Sequence, residues 1–574
     1  MGQKLTGYPS IDKPWLKYYS EEAINAPLPE CTIYEYLWEN NKEHLDDVAL
    51  VYFARKITYR DLFRNIDKTA NAFSSIGIGK GDVVTIQSLS LPQVVYMIYA
   101  LSKLGAIANL IYATSTTNEV IDNLNQTKSK VFVTIDSIYA KFKSEIKTSY
   151  LQKSVLLSID DEMPFLIRNI YRIKTKSEYR KSEEAVIYWN DFMRLSRECA
   201  SKIKGRNEDT VVMVYTGGTT GKSKAVMLSN YNLNVAALQY VYLGFERQKK
   251  FLSVLPPFIA FGITVSMHMP LAFGLKTILG VATNPTEISG FVEKYKPNYL
   301  ICGTVQAEKM MEALKDKKID LSFLICLSVG GDTLSAKLEE RLNDFLSSHN
   351  SAIKVAQGYA MSETSASTAA STYTMENVVF KNGTIGVPLV YTCMKIVDED
   401  NKELPYNEAG EICISAPCVM QGYYENEAET NNILKKHEDG RMWVHTGDIG
   451  SIDENGFVTI VGRIKRMIIT VEDGVCHKVF PKLLEEALLT TGCIKEISIV
   501  GKEHTEKMKT LIAFVVLEEN NTEESMITKL QQYALENFES YECPVNYIVR
   551  DRLPRTTIGK VDYRALEREV QNVQ

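Results

Sequence analysis

Apolar residues recur every three to four positions in ITYRDLFRNIDKTANAFSSIGI, where Leu62, Ile66, Ala70 and Phe73 share one side, and this predicts an amphipathic helix. The run that follows, GDVVTIQS, predicts a short buried strand, and PQVVYMIYALSKLGAIANLI predicts a helix leading into another strand. From about Thr32 to Thr114 strand and helix alternate, which argues for a parallel sheet covered by helices on both faces. The alternation resumes at Val211 with the strands TVVMVYT, FLSVLPP and SFLICLSVGG, the last ending in a glycine turn.

Two stretches interrupt this rhythm. From about Phe165 to Glu198 the chain carries Arg168, Arg172, Lys174, Lys176, Arg180 and Lys181 in and after the apolar MPFLIRNIYRI. Such a basic amphipathic segment suits either a solvated insertion, the reading preferred here, or peripheral contact with an anionic membrane. Phe258 to Leu275 is eighteen residues without a charge, a length that makes a membrane span a candidate. Gly262, His268, Pro270 and Gly274 break it and Pro256-Pro257 precede it, so a buried helix followed by a core strand is expected and no transmembrane helix. After Asn382 the texture changes to short strands and turns (MKIVDED, EICISAP, GSIDENGFVTIVGR). From about Arg466 the chain predicts a helix at Lys482, strands at EISIVG and LIAFVVLEE, and a helix at EESMITKLQQYALENF; about 110 residues suffice for one small domain.

Composition narrows the class. The chain has 574 residues, room for three or four units of about 150 residues each, and 45% hydrophobic with 24% charged residues is ordinary for a globular protein. Lys+Arg 65 against Asp+Glu 71 leaves a net charge of -6, so there is no general basic field for nucleic acid. Ten cysteines without a Cys-x-x-Cys pair and seven dispersed histidines indicate reduced thiols in the cytoplasm, with no zinc site or disulfide framework. The N-terminus lacks the apolar core of a signal peptide. Gly2 and Thr6 match the short myristoylation pattern, which also arises by chance.

The densest chemistry lies in YTGGTTGKSK, Tyr215 to Lys224, between the strand VVMV and the helical NYNLNVAALQYVY. Gly217, Gly218 and Gly221 let backbone N–H groups approach phosphate oxygens. Thr216, Thr219 and Thr220 add neutral hydroxyl donors, and Lys222 and Lys224 add charge, a composition suited to a polyphosphate. The ordinary P-loop pattern requires glycine five residues before the glycine of the Gly-Lys pair, and Thr216 stands there.

This loop resembles that of the adenylate-forming superfamily of acyl-CoA synthetases, adenylation domains and luciferases. Five further motifs follow in that superfamily's order, so that the resemblance spans about Thr32 to Leu566. Gly330-Gly331-Asp332-Thr333-Leu334 is similar to the turn beside the adenine. Gln357-Gly358-Tyr359-Ala360-Met361-Ser362-Glu363 is similar to the aromatic–hydroxyl–glutamate motif, and Trp443-Val-His-Thr-Gly-Asp448 to the ribose motif. Gly462-Arg463-Ile-Lys-Arg466 is similar to the hinge and Pro554 to Lys560 to the C-terminal lysine loop.

Several roles are readable beside the resemblance. Tyr359 can stack on a purine, and Asp448 at a Gly-Asp turn can accept two hydrogen bonds from a ribose diol. Glu363 is a hard oxygen ligand suited to Mg²⁺, and Ser362, where the family usually has threonine, can touch the α-phosphate. The resemblance implies that Thr220 shares the metal, that Arg463 helps at the ribose and that Lys560 reaches the reacting carboxylate and phosphate. It also implies an α/β fold: a large N-terminal domain of parallel and mixed sheets flanked by helices with a small barrel-like part (1–465), then a small α+β lid (466–574) that pivots at Arg466.

Three departures bear on substrate and acceptor. The segment usually reading Phe-His-x-aromatic-Gly is Phe258-Ile259-Ala260-Phe261-Gly262, with Ile259 in place of a polar or aromatic gate and no aspartate to hold an amino group. The family's paired prolines near the pocket are Gly303-Thr304, and the hinge is Arg466 followed by ITVEDGVCHKVFP, with its glycine at Gly474. The expected acid pocket is formed by Phe258, Ile259, Phe261, Val265 and Gly303, which favours a fatty or aromatic acid. The reading is an ATP- and Mg²⁺-dependent acid–thiol ligase using coenzyme A (CoA). The alternatives are a stand-alone adenylation enzyme that loads an acyl or aminoacyl group onto the phosphopantetheine of an acyl carrier protein and a nucleotide-binding scaffold without catalysis. Neither the oligomeric state nor the particular acid follows from the sequence.

Overall fold

The computed structural model describes residues 5–141, 150–175, 182–196, 204–216, 223–241, 244–281, 285–331, 334–373, 378–518, 522–555 and 561–572. Two large sheets form its body. The eight-stranded sheet runs in the order Gly422–Tyr423, Ala225–Ser229, Thr210–Tyr215, Ile107–Ile111, Val83–Gln87, Val131–Ile135, Lys153–Leu157, Val186–Tyr188. Its last six strands are mutually parallel. All five residues of Val83–Gln87 are buried, as a parallel strand covered on both faces requires.

The nine-stranded sheet runs Val387–Pro388, Ser367–Ala370, Val355–Ala360, Cys326–Gly330, Tyr299–Gly303, Lys250–Ser253, Lys276–Leu279, Val48–Tyr52, Arg55–Thr58. Its central six strands are parallel, and an N-terminal strand closes it from far away in sequence, with Leu50 opposite Thr277. One apolar core joins the two sheets through the helices between them. The expected helix in ITYRDLFRNIDKTANAFSSIGI is Tyr59–Ser75, capped by Thr58 accepting from the Asp61 N–H and burying Leu62, Ile66, Ala70 and Phe73. Pro92–Leu104 is a second helix, buried along its whole length, that starts on proline and stops at Gly105 with φ 71°.

The two irregular stretches resolve differently from each other. Phe165–Thr175 is indeed an amphipathic helix; Lys176, Arg180 and Lys181 lie outside the described residues, and the described part that follows belongs to the sheet rather than to an insertion. Val186–Tyr188 pairs in parallel with Lys153–Leu157 as the sheet's edge, and Trp189 and Phe192 are buried. The apolar run is the buried helix expected, wound as a π-helix over Gly262–His268 and continued by Met269–Ala272, before the core strand Lys276–Leu279. Among the described residues no helix is long and apolar enough to cross a membrane.

Beyond residue 390, where the barrel-like part of the N-terminal domain was expected, lies a five-stranded antiparallel sheet (Cys393–Val397, Gly410–Ser415, Met442–Ile452, Leu434–Lys436, Val458–Arg463). The C-terminal segment holds more than the two strands and two helices expected. Ile494–His504, Met508–Leu517 and Asn546–Val549 form a three-stranded sheet, with helices Pro481–Leu489, Glu523–Asn537 and Tyr563–Asn572. The segment ITVEDGVCHKVFP is a regular hairpin, Ile468–Glu472 against Val475–Val479. Asp473 (φ 50°) and Gly474 (φ 78°) make its two-residue turn, the positive-φ pair that Asp-Gly supplies most cheaply.

Candidate functional site

The phosphate-type loop leaves the eight-stranded sheet at Thr216 and returns at Ser223, bridging the antiparallel strands Thr210–Tyr215 and Ala225–Ser229. It is therefore a hairpin loop, and a strand separates it from the helix Asn230–Val241. Gly217, Gly218, Thr219, Thr220, Gly221 and Lys222 lie outside the described residues. The base is closed by Thr216: its N–H donates to the Lys224 carbonyl (3.1 Å), its Oγ1 accepts from the Lys224 N–H (3.3 Å), and its carbonyl accepts from Ser223 Oγ (2.6 Å).

Lys224 does not stand free at this base. Its Nζ lies 2.5 Å from Glu429 Oε2 and 4.6 Å from the centre of the Tyr423 ring, and its hydrogen bond, with its charge, holds the Glu429 carboxyl below its ordinary range. Tyr423 in turn donates its hydroxyl to Glu363 Oε1 at 2.7 Å. Burial, with Glu363 beside it, pushes the Tyr423 phenol up, so it stays protonated and keeps donating. Glu363 is buried on the short helical turn Ser362–Thr364, whose exit residue Ser365 takes a left-handed φ of 63°. Three bonds fix that turn: Met420 N–H to the Glu363 carbonyl (2.8 Å), Ser365 Oγ to the Cys418 carbonyl (2.6 Å) and Thr264 Oγ1, from the π-helix, to the Ser365 carbonyl (2.6 Å).

A second cluster sits where Val355–Ala360 meets the five-stranded sheet. Asp448 is buried, with Oδ2 accepting from the Tyr359 hydroxyl at 2.5 Å and Oδ1 2.9 Å from Arg463 Nε. Tyr359 packs among Ala369, Ile412 and Val444, so in this arrangement the group it offers is its hydroxyl rather than an open ring face. The Asp448 turn is shaped by Gly447 (φ 70°), whose N–H donates to Glu411 Oε1 (2.9 Å), while Glu411 Oε2 accepts from His445 Nδ1 (2.8 Å). Gln357 is tied through its backbone to Ser371, and a Cβ at Gly358 would meet Ser367 Oγ at 3.1 Å.

Of the expected pocket residues, Phe258, Ile259 and Phe261 lie on the segment between the strand Lys250–Ser253 and the π-helix, Val265 on the π-helix, and Gly303 at the end of the strand Tyr299–Gly303. Phe261 lies against Gly330, where a Cβ would come 3.3 Å from its ring and 3.2 Å from the Gly358 carbonyl, so the apolar segment reaches the glycine turn at Gly330, which itself abuts Gly358. Gly331 follows with φ 85°; Asp332 lies outside the described residues. Phe258 meets Tyr112 with ring centres 4.9 Å apart, Ile259 is half-buried, and Gly303 caps the helix Thr304–Leu314. Val265 is fully buried with Tyr240, Phe251 and Met269, so its place is in the core rather than on an open wall. Gly262 abuts the Pro256 carbonyl so closely that a Cβ would stand 1.8 Å from the oxygen.

Arg466 binds Glu485 with Nη2 2.5 Å from Oε1 and Nη1 3.3 Å from Oε2, and its guanidinium stands 5.0 Å from the centre of the Tyr563 ring. All these partners are C-terminal, so Arg466 is anchored to that side, while Arg463 three residues earlier is tied to Asp448. Lys560 lies outside the described residues.

Sequence reasoning missed Tyr423, Glu429 and Glu411. Tyr423 arrives through a two-residue strand, Gly422 opposite Met227 and Tyr423 opposite Val226, too short for any periodicity to announce. The Glu363–Tyr423–Lys224–Glu429 chain places a buried carboxylate beside the base of the phosphate-type loop. As a buried carboxylate with a phenol donor, Glu363 suits a hard cation such as Mg²⁺.

Two family models match the chain: AMP-binding enzyme over residues 37–424 and AMP-binding enzyme C-terminal domain over residues 483–560. The chain is 29% identical over 576 residues to a long-chain-fatty-acid–CoA ligase of Bacillus subtilis (strain 168), covering 98% of this chain and 99% of that protein. It is 27% identical over 507 residues to a 2-succinylbenzoate–CoA ligase of Oceanobacillus iheyensis, covering 88% and 92%. Among solved structures, an anthranilate CoA ligase in complex with anthranoyl-AMP superimposes with a TM-score of 0.80 at 18% identity, covering 96% of this chain and 99% of the other.

Proposed function

The chain belongs to the AMP-binding enzyme family, and from that premise we propose that it joins a carboxylic acid to CoA through an acyl adenylate, with release of pyrophosphate. The observation that carries this reading is the Glu363–Tyr423–Lys224 chain at the base of the phosphate-type loop, with Asp448, Arg463 and Tyr359 gathered where the nine-stranded and five-stranded sheets meet.

In the first step the acid's carboxylate oxygen attacks the α-phosphorus of ATP and the bond to the pyrophosphate oxygen breaks. Two anions must meet, so the work of the site is charge neutralisation and alignment. The loop from Thr216 to Lys224 would bind the phosphates, with Thr216 Oγ1 already held at its base. Glu363 and Thr220 would hold Mg²⁺, which when bound supplies neutralising charge to the phosphates. Asp448 and Arg463 would receive the ribose, and Gly331, Asp332, Gln357, Gly358 and Tyr359 would frame the base. Ser362 and Lys560 would touch the α-phosphate and the incoming carboxylate. In the second step the CoA sulfur attacks the acyl carbon and AMP leaves. No side chain acts as nucleophile in either step.

We assign residues 1–465 to the ATP and acid sites and 466–574 to a lid that delivers Lys560 for the first step and withdraws it for the second. Phe258, Ile259 and Phe261 support an apolar acid, with long-chain fatty acids the first class to try, in keeping with the named activity of the Bacillus relative. Aromatic acids are the second. The nine described cysteines are unpaired thiols, which supports a reducing cytoplasmic setting.

The test is acid-dependent pyrophosphate release over fatty, aromatic and amino acids, with CoA absent and then present. Release of AMP and pyrophosphate that rises with CoA for one acid class is the expected result. Release indifferent to CoA but stimulated by a phosphopantetheinylated carrier would replace CoA as acceptor. Acid-independent formation of ADP would overturn the ligase reading.

A further inference from the structure

The helix Phe165–Thr175 turns an apolar side to solvent. Phe165, Leu166, Ile170 and Ile173 are 66%, 74%, 56% and 79% exposed. At about 100° per residue these four side chains fall within an arc of about 140°, one continuous strip of the helix. They are not the residues that attach the helix: Ile167 and Tyr171, on the other side, pack against the main core. The helix is thus held by one face and leaves a second apolar face without a partner among the described residues, whereas ordinary surface helices turn polar side chains outward.

The charged residues of the helix itself are all cationic. FLIRNIYRIKT contains Arg168, Arg172 and Lys174 and no carboxylate, in a chain whose overall charge is -6. Arg172 is steadied by its Nε 2.5 Å from Asp160 Oδ2. An exposed apolar strip bordered by cations matches a surface that is apolar beneath an anionic skin, which is a lipid bilayer with acidic headgroups. A protein partner would have to combine the same two properties.

We propose that the helix Phe165–Thr175 docks this protein on anionic bilayers, with Phe165, Leu166, Ile170 and Ile173 entering the headgroup–acyl boundary and Arg168 and Arg172 facing the headgroups. This binding is separate from the chemistry of the site, and its readout needs no turnover, so it stands or falls independently of the proposed ligation.

The full chain, prepared without acylation at Gly2, is sedimented with vesicles of phosphatidylcholine alone and with vesicles that also contain phosphatidylglycerol. Co-sedimentation with the anionic vesicles is expected, and salt should weaken it. The double variant Leu166→Glu, Ile173→Glu should lower the bound fraction roughly tenfold or more with an unchanged melting temperature, because neither side chain supports the core. Ile170→Trp should show a blue-shifted emission with anionic vesicles only. Failure of the unmodified chain to bind, equal binding to neutral vesicles, or undiminished binding by the double variant would overturn the proposal. So would a dimer in sedimentation velocity that the double variant turns into a monomer, which would make a second copy the occupant of the strip.

Discussion

Tyr423 holds Glu363 from across the molecule: a hydroxyl on the edge strand of the eight-stranded sheet donates at 2.7 Å to a carboxylate oxygen at the end of the nine-stranded one. The bond sets the rotamer of a buried acid that the proposed reaction needs for Mg²⁺, and Lys224 over the same ring ties it to the loop base.

Tyr423→Phe removes the donor and keeps the ring. A hydrogen bond to a charged group contributes about 1.5–3 kcal/mol, so adenylation should fall roughly 10- to 100-fold with a higher Mg²⁺ requirement. Pyrophosphate release titrated with Mg²⁺ checks this. A variant with the Mg²⁺ dependence of the parent would detach Tyr423 from the metal role.

Arg466 and Glu485 form an ion pair with side chains 23% and 12% exposed, and Glu485 Oε1 also accepts from the Ile499 N–H at 2.8 Å. Arg466→Met should cost about 1–3 kcal/mol, less than the 3–5 kcal/mol for breaking a fully buried pair, because solvent still reaches the arginine. Denaturant unfolding in a double-mutant cycle with Glu485→Gln should give a coupling of that order. A coupling near zero would mean the pair does not anchor the hinge residue.

His268 is fully buried on the π-helix, with Nδ1 accepting from the Tyr99 hydroxyl (3.0 Å) and Nε2 donating to Asn234 Oδ1 (2.9 Å). Burial lowers its pKa from 6.5 to about 3. An unfolded chain takes up this proton near pH 6.5 and the folded one resists until about pH 3, so stability is full above that window and is lost as the pH falls through it. The loss approaches about 1.4 kcal/mol per pH unit. His268→Gln should flatten the acid branch of the stability profile by about one proton, measured by urea unfolding from neutral pH down. A profile unchanged in slope would show that His268 does not carry the linkage.

Lys560→Ala should reduce adenylation by orders of magnitude while sparing thioester formation from a supplied acyl adenylate. The two half-reactions are measured separately. Equal loss in both would remove the exchange of lid positions from the mechanism.

Gly474 occupies the second central position of a two-residue turn at φ 78°, with open space where a Cβ would stand. Any other residue there is strained by about 1–2 kcal/mol, so Gly474→Ala serves as the control for strain and Gly474→Trp for bulk. Loss of thioester formation in the tryptophan variant alone is expected if the hairpin lines the CoA approach. Matching behaviour of the two variants would place the hairpin elsewhere.

Periodicity made the helix Tyr59–Ser75 and the parallel strands legible, because a face buried along its full length writes its period into the sequence. The left-handed turn at Asp473-Gly474 was also written there as a dipeptide. Tyr423 was not, since two residues of edge strand hold no period and their meaning depends on Val226 and Met227 opposite. Asp448 was legible as an acceptor, but its two occupants were not: Arg463 reaches it because Met442–Ile452 and Val458–Arg463 pair with Asp448 opposite Arg463, and Tyr359 reaches it from Val355–Ala360, a strand of the other sheet. Basic composition made the stretch from Phe165 look like an insertion, although Val186–Tyr188 completes a sheet.

The strand Val48–Tyr52 finds its partner Lys276–Leu279 only after more than two hundred further residues have been made. At 5–20 residues per second a ribosome needs roughly 10–45 s to deliver them. During that interval Arg55–Thr58 can cover one side of the strand, and its other side, apolar and hydrogen-bond hungry, waits open. Nascent chains of this protein therefore carry an aggregation-prone edge through much of their synthesis, and the yield of folded enzyme should respond to chaperone supply and growth temperature more than its finished stability suggests.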